Sequence, residues 1–91
     1  MAQRHPSAIK RHRQSEKRAE RNRIIRTRVR HAVRELREII AKKESGPAET
    51  LLPTVIKALD KAATKGVLHR NNASRRISRL SSQVAELRKS A

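Results

Sequence analysis

Residues 21–40 read RNRIIRTRVRHAVRELREII. Ile25, Val29, Ala32, Val33, Leu36, Ile39 and Ile40 recur three and four positions apart, which in a helix gathers them on one face. The stripe begins abruptly. Traced backwards at about 100° per residue, the same face meets Arg21 and Asn22, then Arg18, Gln14 and Arg11. One helix thus carries an apolar face in its second half and a guanidinium and amide face in its first. The second half has something to bury, and the first has not. Residues 11–23, RHRQSEKRAERNR, hold a single apolar side chain, Ala19.

From Ser7 to Ser45 the chain contains neither Gly nor Pro. Ser7 is expected to cap the start of this helix and Gly46-Pro47 to end it. Such a helix would be about 57 Å long, more than a small bundle requires. Beyond Pro47, Leu52, Val55, Ile56, Leu59, Ala62 and Ala63 form a second stripe, and Pro53 places the regular part of that helix from about Thr50 onward. Gly66 suits the left-handed residue that ends a helix, with His69, Asn71 or Asn72 available to cap the next one. Ala73, Ile77, Leu80, Val84 and Leu87 make the third stripe. No stretch alternates apolar and polar residues as a half-buried strand does. The expected class is all-α: a three-helix up-down-up bundle with a long N-terminal helix projecting beyond it. Residues 1–91 form one domain, with 1–24 as basic arm and helix extension and 25–91 as bundle.

The 91 residues include only 19 Ile, Leu and Val and no Phe, Tyr or Trp, so the core is thin. Against this stands a net charge of +16, from 24 basic and eight acidic residues. That self-repulsion is relieved by a polyanion, and nucleic acid leads the partner classes. Charge is shared unevenly. Met1 to Ser45 carries 15 basic and five acidic residues, and Gly46 to Lys65 only three and two. Gly66 to Ala91 carries six and one. The middle helix therefore reads as scaffold and the outer two as binding surface.

Arg11, Arg13, Gln14, Arg18, Arg21, Asn22 and Arg23 are the expected contacts of the arm, because a planar guanidinium grips phosphate with a fork of donors. Ion pairing in the arm is poor. Glu16 and Glu20 repel each other at i,i+4, and only Glu16 with Arg13 and Glu20 with Lys17 or Arg23 can help. The arm is expected to fray in the free chain and to order on nucleic acid. In the third helix Asn72, Arg75, Arg76 and Arg79 share one flank, opposite Ser74, Ser78 and Ser81.

Catalysis has no constellation to use. No paired carboxylates, nucleophile with its base, or Gly-rich phosphate loop is present. With no Cys and with His at 5, 12, 31 and 69, metal-ligand spacing is lacking, so neither metal nor cofactor is expected. His5 and His12 could add proton-dependent charge to the arm. No apolar run approaches a membrane span, and no small-molecule substrate is suggested.

Two stretches carry a resemblance. SAIKRHRQSEKRAERNRIIRTRVRHAVRE (7–35) resembles the opening of bacterial small-subunit ribosomal protein twenty. LDKAATKGVLHRNNASRRISRL (59–80) resembles that family's most characteristic stretch: an acidic-basic-Ala-Ala run, Lys-Gly, two aliphatics, His, a basic residue and Asn, then an Arg-rich helix. Together they cover about two-thirds of the chain, and Glu44 to Ala58 matches least. Asn72 and Ser74 depart from the residues the family commonly has. The resemblance implies a three-helix bundle in the small ribosomal subunit, in the cytoplasm, binding 16S ribosomal RNA directly and early in assembly. It also implies that Lys65, His69, Arg70, Asn71, Arg75, Arg76 and Arg79 lie at or near RNA.

Two rival readings follow from the residues alone. A basic run followed by Val29, Ala32, Leu36 and Ile39 mimics a dimeric basic-zipper DNA-binding protein, but the seam ends after barely two heptads where three or four are needed. A basic amphipathic helix at a membrane surface would need an apolar face on the basic half, which is lacking. The expected protein is no obligate homo-oligomer.

Overall fold

The computed structural model describes residues 6–90. His5, one of the expected arm histidines, lies outside them. Three helices follow one another: α1 Pro6–Ala41, α2 Ser45–Thr64 and α3 Arg70–Ser90. α2 lies in the middle, with α1 packed along one side and α3 along the other, and α1 and α3 scarcely meet. The result is long and flat, 71 × 21 × 15 Å.

The core is a single aliphatic seam. Ile25, Val29, Val33 and Leu36 come from α1, Ala48, Val55, Leu59 and Ala62 from α2, and Ala73, Leu80 and Val84 from α3. Leu36, Leu59 and Val55 are the largest side chains fully enclosed. All three stripes read from the sequence are present, and they are narrower than their apolar positions allow. Leu52, Ile77 and Leu87 are only half-buried against the seam, and Ile56 is also half-buried. In a three-helix layer the outer edge of each helix has no neighbour to cover it.

Both connections are built on the same helix-ending motif. After α2, Gly66 adopts φ +75°, the Gly66 N–H donates to the Ala63 carbonyl at 3.0 Å, and the Val67 N–H donates to the Ala62 carbonyl at 2.9 Å. This pair of bonds satisfies two carbonyls the helix end leaves over, and the buried Val67 closes the end of the core. After α1 the left-handed residue is Lys43, at φ +59°, with Lys43 N–H to the Ile40 carbonyl at 3.0 Å and Glu44 N–H to the Ile39 carbonyl at 3.3 Å.

The chain therefore reverses at Lys42–Glu44 and not at Gly46-Pro47, as the sequence suggested. Gly46 and Pro47 fall in the first turn of α2, where a missing N–H removes no helical bond. α2 also starts well before Thr50 and carries Pro53 in its interior. Pro53 and Glu49, whose carbonyl Pro53 cannot serve, are both exposed residues. Likewise Ser7 lies within α1 and not at its cap.

Ile25 is the first buried residue of α1, and every residue from Ser7 to Arg21 is exposed. The 16 residues from Pro6 to Arg21 thus run about 24 Å past the packed part of the molecule. No helix among the described residues is long and apolar enough to cross a membrane.

Candidate nucleic-acid interface

The arm's one ion pair among the described residues joins His12 Nε2 to Glu16 Oε1 at 2.9 Å, with both side chains exposed. Glu16 therefore faces His12 and not Arg13. Gln14, Arg18 and Arg21 stand together, with Lys17, along one shallow groove of the helix. Arg11 continues this face one turn earlier, and Arg13 and Arg23 lie on the opposite side of the helix. The arm is thus cationic all round.

Asn22 marks the junction between arm and packed helix. It is half-buried, and its Oδ1 is enclosed without a hydrogen-bond partner. A polar atom left so costs about 1–3 kcal/mol. Asn22 accordingly offers less surface to a ligand than its neighbours do.

Lys65 does not join the third helix in space. It lies with Lys61 across from Lys17, Arg21 and Arg28, bordering a groove between α1 and α2. At the head of α3 the His69 ring is used as a cap. Its Nδ1 accepts from the Asn71 N–H at 3.1 Å, and the His69 carbonyl accepts the Ala73 N–H at 3.1 Å. His69, Arg70 and Asn71 are all exposed there. Asn72, which had been a possible cap, instead accepts from Arg76 Nε through Oδ1 at 3.0 Å. That bond steadies the half-buried Arg76 and leaves its terminal nitrogens unused by it.

Asn72, Arg75, Arg76 and Arg79 form one wall of a groove whose other side is Arg37 of α1. Further along, Arg76 and Leu68 face Arg26, Arg30, Arg34 and Arg37 over a floor of Val29 and Val33. No carboxylate lines either stretch. Among the described residues the one acid paired to these arginines is Glu38, 3.4 Å from Arg34 at the exposed rim. Unopposed guanidiniums at such density repel each other and demand an anion.

The four α1 arginines of this groove were not singled out from the sequence. Their spacing at 26, 30, 34 and 37 places them on one flank of α1. The signal was present, but which flank α3 would approach depends on how both helices sit on α2. The 15 residues anticipated from the sequence therefore divide into an arm set, Lys65 beside the arm, and a set on α3. Among the described residues no group of His, Cys, Asp and Glu is placed to hold a metal.

The α2–α3 side differs in character. Leu52, Pro53, Ile56 and Ala85 line a groove there with Glu49, Asp60, Lys57 and Arg88, so charge is balanced, and Arg88 Nε lies 3.4 Å from Glu49 Oε1.

Comparison with known proteins gives this arrangement a context. Residues 3–85 match the family described as Ribosomal protein S20. The small ribosomal subunit protein bS20 of Oleidesulfovibrio alaskensis is 49% identical over 80 residues, covering 88% of this chain and 92% of the relative. That of Anaeromyxobacter dehalogenans is 51% identical over 80 residues, covering 88% of this chain and 87% of the relative. That of Geotalea daltonii is 46% identical over 83 residues, covering 91% and 95%. A match of this extent takes in the arm, all three helices and both turns, and the chain belongs to the ribosomal protein S20 family.

Proposed function

We propose that this chain, a structural protein of the small ribosomal subunit and not an enzyme, binds 16S ribosomal RNA directly and helps organise its folding during assembly. Residues 1–24 act as the arm and 25–91 as the hub. The contacts are Arg11, Arg13, Gln14, Arg18, Arg21, Asn22 and Arg23 on the arm, and Lys65, His69, Arg70, Asn71, Asn72, Arg75, Arg76 and Arg79 beyond it. The groove arginines Arg26, Arg30, Arg34 and Arg37 join them. The protein works in the cytoplasm, on the ribosome, without a metal, cofactor or membrane.

One observation carries this reading: α1 is cationic on both flanks of the face that carries its buried stripe. Arg21, Arg28 and Lys17 lie on one side and Arg26, Arg30, Arg34 and Arg37 on the other. A protein with two such flanks suits the space between two RNA segments, where it neutralises phosphates that would otherwise repel. Each phosphate contact releases condensed counterions, so binding should weaken steeply as salt rises. A-form RNA offers phosphates and 2′-hydroxyls more readily than base edges, and no Phe, Tyr or Trp is present for stacking, so shape should outweigh sequence.

The zipper alternative loses its seam, because Val29 and Leu36 are already buried within the chain and Ala32 and Ile39 pack against the same core. The test is cross-linking in cells with sequencing of the attached RNA, beside binding of the purified chain to 16S ribosomal RNA with heparin as competitor. A single cluster of small-subunit RNA sites and retention against heparin are expected. Scattered messenger RNA or genomic DNA, or equal affinity for heparin, would overturn the proposal.

A further inference from the structure

Where α1 passes the end of α2, a groove of about 540 Å³ opens on the arm side of the molecule. Its floor is aliphatic: Ile24, Ile25, Val29 and Ala58. Its rim carries five cations, Lys17, Arg21, Arg28, Lys61 and Lys65, and one acid, Glu20. Ile24 is 45% exposed, one of two large apolar side chains left open to solvent among the described residues. The volume lies within the range of clefts that enclose small ligands, roughly 300–1,000 Å³.

A phosphate ridge needs the cations but has no use for the floor. A duplex shows phosphate and sugar at its surface and keeps its bases stacked inside. The partner that matches both parts is an anionic chain with a flat, weakly polar group free to leave it. We infer that this groove receives a single unpaired nucleotide of the bound RNA. The base lies on Ile24 and Ala58, with the Arg21 and Arg28 guanidinium planes available to stack, and the flanking phosphates meet Lys17, Lys61 and Lys65. Unstacked bases in bulges and loops are what proteins read most readily in RNA.

Glu20 adds a preference. Its carboxylate repels phosphate and can only accept hydrogen bonds, so it favours adenine, whose exocyclic amine carries two donor hydrogens, over uracil, whose one N3–H lies between two carbonyl oxygens. The inference rests on the RNA-binding reading above and adds to it a site that tells interrupted from continuous helices.

The test uses the full chain and three RNA hairpins of equal length and charge: fully paired, with one unpaired adenine, and with one unpaired uracil. The unpaired adenine should raise affinity about tenfold over the paired hairpin, as burial of one face of a base on an aliphatic floor would give. The unpaired uracil should raise it less. 2-Aminopurine at the unpaired position should change its fluorescence on binding. Ile24→Gln, an exposed helical position, should keep the helical circular dichroism signal and the paired-hairpin affinity but lose the preference and the fluorescence change. Glu20→Gln should narrow the gap between adenine and uracil. Equal affinity for all three hairpins, or an undiminished preference in Ile24→Gln, would overturn the inference and leave the RNA-binding reading standing. Failure to bind any hairpin would sink both. Concentration-dependent dimers abolished by Ile24→Gln would assign the groove to a second copy of the chain and also overturn it.

Discussion

The two halves of α1 share a helix and little else. From Ser7 to Arg21 no residue is buried; from Ile25 to Leu36 four are. Both halves are rich in arginine and free of glycine. Local helix preference treats them alike, although only the second is rich in aliphatic side chains. What separates them is the partner each needs. The second half covers its stripe with α2. The first has only backbone bonds and one exposed His12–Glu16 pair, and helices so short are marginal in water without packing. Helical geometry and helical stability are separate properties, and α1 has the first along its whole length but the second only in part.

The sharpest contrast should appear in amide exchange of the free chain. Amides of residues 10–20 open locally at almost no cost, whereas those of residues 29–36 open only on global unfolding, so their protection should differ by about 10⁴-fold. Equal protection in both halves would break the comparison, and 16S ribosomal RNA should bring protection to the arm, which has almost none without it. Next, replacing Arg11, Arg13, Arg18 and Arg21 together with Gln should lower the slope of log affinity against log salt by about three to four and cost about 10³ in affinity at physiological salt. Salt-titrated binding measures both, and the thermal midpoint of the free chain should not move.

In the packed half the outcome should reverse. Leu36→Ala leaves a cavity in a fully enclosed site and should cost about 2–4 kcal/mol of stability by denaturant titration. That is a large part of what a chain of this size has, about 5–10 kcal/mol. The smallest effect belongs to the junction. Asn22→Leu removes the enclosed oxygen and should stabilise the free chain by about 1 kcal/mol, visible as a higher thermal midpoint. Its salt slope should be unchanged, since no charge is lost.

Much of this was legible in the residues. The stripe beginning at Ile25, the helix end at Gly66 and the arginine flank of α3 all follow from spacing and residue type. The turn at Lys43 was not legible, because lysine does not advertise a left-handed conformation and Gly46-Pro47 nearby does. Nor was the interior position of Pro53, which is tolerated because its side of α2 faces water. The site was read as two sets, and the structure adds what joins them. Arg37 faces Arg75, Arg76 and Arg79, and Lys65 borders the arm, through packing on a middle helix that itself carries little charge. Helix periodicity names the faces, but only tertiary contact says which faces meet.

The projecting end of α1 also sets how an encounter begins. At physiological ionic strength a charge is felt over only about 8 Å. An extension of about 24 Å lies three such lengths out, so its tip senses a distant polyanion while the rest of the molecule is still screened. A collision that would miss the compact body can then be caught at the tip and turned into a short search along the strand. Capture becomes less a matter of correct orientation than of reach, and shortening the extension should slow arrival more than it hastens departure.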